Sequence, residues 1–172
     1  MQNLTKIVFR AVLVMSLAVS ATLARAEDAA TGRIILQVTG EITKSNGPAG
    51  MEYDLAMLDA LGATTVTTET PWTEGPIPFQ GVLVRDLLAN SGSTGTAVDA
   101  VALNDYTVTI PISDFVRYDV ILATRADGNV LTVRDRGPIW IIYPWSDASE
   151  LQNEVYYSRS IWQLKSLMVR SD

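Results

Sequence analysis

The sequence contains no cysteine and no histidine among its 172 residues. Without cysteine the chain forms no disulfide and offers no thiolate as a metal ligand or nucleophile. Without histidine it lacks the side chain that most often serves as a general base or a metal ligand. Zinc, copper and haem iron therefore have no typical set of ligands here. These absences predict a protein that binds no metal and is not an enzyme of the usual acid–base kind.

Positive charge is also scarce, because 13 lysines and arginines face 19 aspartates and glutamates, for a net charge of −6. The basic residues Lys6, Arg10 and Arg25 all lie near the N-terminus, so the rest of the chain is more acidic still. Nucleic acid and anionic lipid would be repelled by such a surface. We expect neither as a partner, and the simplest role of the charge is solubility.

Long apolar runs are limited to one, Ala11 to Leu23, which follows Lys6 and Arg10 and precedes Ala24-Arg25-Ala26. This order of positive, apolar and small residues is typical of a secretory signal peptide. We predict cleavage after Ala26, a periplasmic location and a single domain over residues 27–172. The alternative is a retained N-terminal anchor, which the short apolar run and the cleavage pattern disfavour.

The rest of the pattern predicts several strands and a few short helices without strict strand–helix alternation. We expect a helix over Met51–Leu61, an exposed loop over Pro71–Pro78, a hairpin around Asp127-Gly128-Asn129 and a last strand over Ile161–Val169. Such an order favours the α+β class with a mixed sheet in a single domain.

Aromatic residues are concentrated near the proline loop and in the last third of the chain. Trp140 and Trp162 lie in apolar strand-like segments and are expected to pack in the core. Trp72, Trp145 and Tyr157 lie in segments that resemble loops, where aromatic rings either pack or stack on a planar ligand. The sequence leaves these two roles open.

Polar candidates accompany these rings. Arg159 can donate to a carbonyl or ring nitrogen of a ligand, although an ion pair with one of the many acids is an equal alternative. Asn104-Asp105-Tyr106 places an amide, a carboxylate and a phenol in one loop, where Asn and Asp usually serve the turn itself. From the residues alone, the sequence indicates an exported acidic domain with an aromatic-lined pocket.

Five segments in order resemble the sulfite-oxidase type of molybdopterin-binding domain, and the resemblance spans residues 33–170. They are Pro78 to Leu88 (PFQGVLVRDLL), Tyr106 to Pro111 (YTVTIP), Ile121 to Leu131 with its Asp127-Gly128, Gly137 to Pro144 (GPIWIIYP) and Ser160 to Leu167 (SIWQLKSL). The resemblance implies a mixed-sheet sulfite-oxidase-like fold.

This chain departs from the family where the cofactor is held. The family's molybdenum-binding cysteine falls within Thr68–Thr70, and a threonine hydroxyl is a poor substitute for a soft sulfur ligand. A cofactor-binding arginine and lysine of the family are matched by Trp140 and Trp162. The exchange of two cations for two indoles favours a flat, unphosphorylated ring over a phosphate ester.

The Thr70-Pro71-Trp72 turn and the stretch from Tyr156 to Leu164 resemble short exported pterin-binding proteins that accompany membrane-bound cyclic-di-GMP enzymes. This resemblance implies a non-catalytic regulator that binds an unphosphorylated pterin, whose redox state stays open. The implied partner is the periplasmic domain of a membrane-bound diguanylate cyclase or phosphodiesterase, or of a sensor kinase. The candidate pterin-binding residues are Thr68, Thr70, Trp72, Asn104, Asp105, Tyr106, Arg159, Ser160 and Trp162.

Two alternatives remain. The first is a molybdopterin-dependent oxidoreductase subunit that lacks the cysteine ligand. The second is a structural periplasmic domain with a vestigial pocket.

Overall fold

The computed structural model describes residues 29–171. The predicted signal segment, residues 1–26, lies outside the described residues. Within the described range, no helix has both the length and the apolar character needed to cross a membrane.

The described residues form ten strands and four α-helices, which we number in chain order. The strands are β1 (Leu36–Gly40), β2 (Met51–Tyr53), β3 (Thr64–Thr68), β4 (Ile77–Leu83), β5 (Ala97–Ala102), β6 (Thr107–Pro111), β7 (Ile121–Ala126), β8 (Asn129–Val130), β9 (Trp140–Ile142) and β10 (Leu164–Arg170). The helices are α1 (Leu55–Ala60), α2 (Val84–Ser91), α3 (Ile112–Arg117) and α4 (Glu154–Arg159).

The strands form two sheets around one core. The first has the order β2-β1-β10-β5-β6, in which β1 and β10 run parallel and the other neighbours antiparallel. The second has the order β3-β4-β7-β8, with β9 also paired to β7, and all its pairs are antiparallel. One mixed sheet with a few short helices confirms the predicted α+β class.

A bulge brings the backbones of β4 and β7 close together beside this core. The register shifts between Gln80 and Gly81, and a Cβ atom at Gly81 would collide with the main chain of Leu122. Glycine is required here for close approach of the backbones. Strand β4, which follows the Thr70-Pro71-Trp72 turn (the proline turn), is thereby held close to β7 at the core.

The predicted helix over Met51–Leu61 is wrong in its first half. Met51–Tyr53 is instead β2, whose buried, half-buried, buried pattern has the period of two that a strand requires. The helix α1 begins only after Asp54, whose carboxylate accepts a hydrogen bond from the Met57 amide as an N-cap. The helical spacing of apolar residues combined Met51 of β2 with Leu55 and Leu58 of α1, which belong to different elements.

Three other boundaries differ from the prediction. Pro78 lies inside β4 rather than in the preceding loop, and it is paired there with Thr67 of β3. The second strand of the hairpin is only the two residues of β8, and the last strand begins at Leu164 rather than Ile161. The helix α4 was not predicted, because none of its six residues is buried and it carries no periodic apolar signal.

The Asp54 cap predicts a specific dependence of stability on pH. Besides Met57, its carboxylate accepts from the amides of Thr31 and Gly32 at 3.1 and 2.7 Å. These hydrogen bonds to the charged form lower the pKa of Asp54 below its ordinary value of 3.8. The stabilisation is present above the unfolded pKa and is lost as pH falls through the lower, folded pKa.

We therefore expect Asp54→Ala to lower the free energy of unfolding by about 1–2 kcal/mol at neutral pH. The difference between variant and parent should shrink below pH ~4, where the unfolded carboxyl is protonated. Urea unfolding at several pH values measures this difference. A difference that stays constant down to the folded pKa would contradict the role of the charge.

Candidate functional site

Trp72 is the centre of an aromatic cluster between the proline turn and the C-terminal part of the chain. Its ring centroid lies 5.3 Å from Trp162, 5.8 Å from Trp140, and 6.3 Å from both Trp145 and Tyr157. The contacts are tilted or edge-on, which are favourable arrangements for aromatic pairs. The proline turn is thus attached to the core by one half-buried indole.

A cavity of about 360 Å³ opens beside this cluster. The rings of Trp72, Tyr106, Tyr157 and Trp162 line it together with Ala102 and Ile161, and the polar lining residues are Asn104, Glu154, Ser158, Ser160 and Gln163. The volume lies within the range of small-molecule sites, which are mostly apolar with a few polar groups. Trp72 and Trp162 therefore line the space without filling it.

The end of β5, the turn before β6, helix α4 and the segment before β10 provide most of the walls, and β9 supports that last segment. Trp140 of β9 is only 2% exposed, and its Nε1 donates to the main-chain carbonyl of Ser160 at 3.1 Å. The backbone of Trp140 also pairs with Trp162, which leaves the Trp162 ring 38% exposed at the cavity. The predicted core role is thus confirmed for Trp140, whereas Trp162 belongs to the cavity wall.

The lining carries no lysine, arginine or cysteine among the described residues, and Glu154 is its one carboxylate. Arg136 lies close to two of the indoles, with its guanidinium 5.1 Å from the ring centroid of Trp140 and 5.9 Å from that of Trp162. Arg136 lines a different cavity, next to Thr73 and Ile77. The site is therefore suited to an uncharged or electron-poor flat ring, and it lacks a cation for a phosphate.

Arg159 does not line this cavity, in contrast to the ligand-binding role proposed for it. Its Nη1 lies 2.8 Å from Asp114 Oδ2, which also accepts from the Tyr143 hydroxyl at 2.9 Å. Burial, followed by the Asp114 charge, raises the pKa of Tyr143. The ion-pair alternative for Arg159 is the one the structure contains, and the pair connects α4 to α3.

Thr68 and Thr70 use their hydroxyls to hold local structure. Thr68 Oγ1 accepts from the Ser146 amide at 3.0 Å, and Thr70 Oγ1 accepts from the Trp72 amide at 3.1 Å. Thr70 also lines a second, more polar cavity of about 440 Å³, together with Trp145, Ser146 and Gln152, and Tyr157 lines both cavities. The threonine hydroxyls where the resemblance places the family's cysteine are thus already engaged.

Asp105 likewise points to the surface, where it forms an ion pair with Lys165 and is not part of the cavity lining. Its backbone has a positive φ of 66°, and the Asn104 Oδ1 accepts from the Tyr106 amide at 3.2 Å. This is the turn role that Asn and Asp commonly have. Asn104 and Tyr106 reach the cavity, and Asp105 shapes the turn that presents them.

The structure therefore brings together around one cavity part of the predicted set, namely Trp72, Asn104, Tyr106, Ser160 and Trp162. Trp145 is buried in the core, and Tyr157 is on α4 rather than in a loop. Sequence reasoning missed Glu154, Ser158 and Gln163, because their place in the lining depends on α4 and on the turn after it.

The arrangement of the two sheets and short helices is similar to that of a solved structure. Among solved structures, the sulfane dehydrogenase SoxCD from Paracoccus pantotrophus matches with a TM-score of 0.61 at 18% identity, covering 84% of this chain and 40% of that chain. The chain thus spans less than half of that larger protein, and the match shows the fold alone.

The family model of the oxidoreductase molybdopterin-binding domain matches residues 49–150. This chain belongs to that family, which confirms the resemblance seen in the sequence. No curated protein matches the chain significantly. The matched range includes the proline turn and the Asn104–Tyr106 turn, and it ends before α4.

The residues present do not fit the complete molybdenum cofactor. The sequence has no thiolate, and the described residues contain no group of three or more His, Cys, Asp or Glu side chains able to hold a metal ion. The aromatic cavity also offers no cation for the cofactor's phosphate. The volume and the aromatic rings of the cavity suit a flat ring of small-molecule size.

Proposed function

We propose that this protein binds an unphosphorylated pterin in the cavity beside Trp72 and Trp162 and acts as a non-catalytic periplasmic regulator. One observation carries the proposal: the cavity of about 360 Å³ keeps the aromatic walls for a flat ring and has no cysteine, lysine or arginine in its lining. Membership in a molybdopterin-binding family supports a pterin as the ring.

Titration of the purified protein with a pterin tests this proposal, because the ligand would lie against the indoles of Trp72 and Trp162 and quench their fluorescence. We expect saturable binding with a dissociation constant of about 1 μM or below. This corresponds to a binding free energy of about −8 kcal/mol or more favourable. Acid extraction of the purified protein, followed by oxidation, should release a fluorescent pterin. An empty protein that takes up no added pterin would support a vestigial pocket instead.

A second candidate is the oxidoreductase subunit that carries molybdopterin without its own thiolate, and family membership favours it. Metal analysis of protein purified from a molybdenum-replete host separates the two functions. We expect no molybdenum at a stoichiometric level, because the sequence has no thiolate and no lysine or arginine lines the cavity to hold the cofactor's phosphate. About one molybdenum atom per chain would contradict the proposed function as a metal-free, non-catalytic regulator.

The proposed partner is the periplasmic domain of a membrane-bound diguanylate cyclase or phosphodiesterase, or of a sensor kinase. A ligand in this cavity would contact Tyr106 and Trp162, which are both exposed at its edge, so loading changes a surface that a partner can contact. A signal requires that the partner prefer the loaded form to the empty one. Equal affinity of the partner domain for both forms would contradict regulation by the ligand.

A further inference from the structure

Most polar side chains that line the first cavity are engaged in hydrogen bonds within the chain. The Oδ1 atom of Asn104 accepts from a main-chain amide. The serine hydroxyls and the glutamine amide donate to main-chain carbonyls, in the pairs Ser158–Val155, Ser160–Ile141 and Gln163–Val133. These groups are positioned by their own chain, so each has reduced capacity for a ligand.

Glu154 differs from all of them. It is an exposed residue at the start of α4, it lines the cavity, and its carboxylate makes no hydrogen bond or ion pair with any other residue in the range 29–171. No lysine or arginine of the lining competes for it. A carboxylate accepts through both oxygens, so Glu154 offers the strongest uncommitted acceptor at the cavity.

A bidentate carboxylate recognises a ligand edge that carries two adjacent N–H donors. A pterin has such an edge, since its N3–H and its 2-amino group point the same way. We propose that Glu154 is the specificity-determining residue of the cavity and accepts from these two donors; this inference rests on the proposed function. The same negative charge disfavours phosphorylated or carboxylated ligands, in agreement with the absence of cations in the lining.

Lumazine provides the discriminating probe, because a carbonyl replaces the 2-amino group of pterin on an otherwise similar ring. Both ligands present a similar flat ring to Trp72 and Trp162, whereas the lumazine carbonyl would face a carboxylate oxygen of Glu154. A site that depends on a hydrogen bond strongly rejects an analogue that lacks the donor. We expect the parent protein to bind pterin more tightly than lumazine by roughly tenfold to a hundredfold.

The substitution Glu154→Gln tests the residue itself. A glutamine amide keeps the size of the side chain, removes the charge and can donate to the lumazine carbonyl. The preference for pterin over lumazine should fall to about equality or reverse, because pterin loses affinity and lumazine does not. Glu74→Gln is the matched control, since Glu74 is exposed and lines none of the cavities described here.

Isothermal titration of both ligands to the three proteins gives the ratios directly. A preference for pterin that is unchanged in Glu154→Gln, or equal losses for both ligands, would overturn the role of Glu154 while leaving the proposed function intact. A parent protein that binds pterin no better than lumazine would also overturn it. If the folded parent protein binds no pterin at all, the proposed function fails, and this inference fails with it.

Discussion

Replacement of Asp114 by alanine is expected to lower the free energy of unfolding by about 3 kcal/mol, the lower end of the range for breaking a buried ion pair. The Asp114 and Arg159 side chains are only 10% and 20% exposed. Without the carboxylate, the buried Tyr143 hydroxyl loses its acceptor and the guanidinium loses its counter-ion. An unsatisfied buried group costs more than its hydrogen bond contributes.

Asp119→Ala is the matched control, because Asp119 also forms an ion pair with an arginine, at Arg85, but is 63% exposed. An exposed pair of this kind contributes less than about 1 kcal/mol. Urea unfolding of the two variants should therefore differ by about 2 kcal/mol or more. A similar decrease in the free energy of unfolding for both variants would contradict the view that the Asp114–Arg159 ion pair is a buried connection between α3 and α4.

The sequence contained enough information for the family and the class of fold. The segment from Pro78 to Leu88 holds both the Gly81 bulge and the start of α2, and the requirement for glycine at close backbone approach gives such a motif its specificity. Trp72 was a candidate because an aromatic ring in a loop either packs or stacks on a ligand, and the structure places it in the lining of the cavity. Local patterns of this kind are visible without the tertiary structure.

The partners of polar groups were not predictable in the same way. Arg159 pairs with an acid 45 residues earlier in the chain, and Thr68 bonds to Ser146, which lies 78 residues later. Nothing local distinguishes Asp114 from the other acids, since its selection depends on how α3 packs near α4. Helix α4 has no buried residue, so the position of Glu154 at the cavity had no signal in the apolar pattern either.

The aromatic cluster explains why Trp72 should dominate ligand binding. The rings of Trp72 and Trp162 meet at 78°, so these two indoles form nearly perpendicular walls instead of a stack. Trp140 is buried, and Trp72 and Trp162 are the indoles in the cavity lining. Of these two, Trp72 touches four other rings and is therefore the better-fixed surface for a flat ligand.

We expect Trp72→Ala to weaken pterin binding by roughly a hundredfold, since stacking of a heterocyclic base on an aromatic side chain contributes about 1–3 kcal/mol and the wall itself is lost. Trp72→Phe should recover part of the affinity because it restores an aromatic face.

Trp72→Ala also removes core contacts, so Leu167→Ala serves as a control. Leu167 is fully buried and does not line the cavity. This control should destabilise the fold by about 2–5 kcal/mol and leave the dissociation constant of the folded protein unchanged. Fluorescence of the pterin itself reports binding in all three variants, and equal affinity in Trp72→Ala and the parent protein would place the ligand elsewhere.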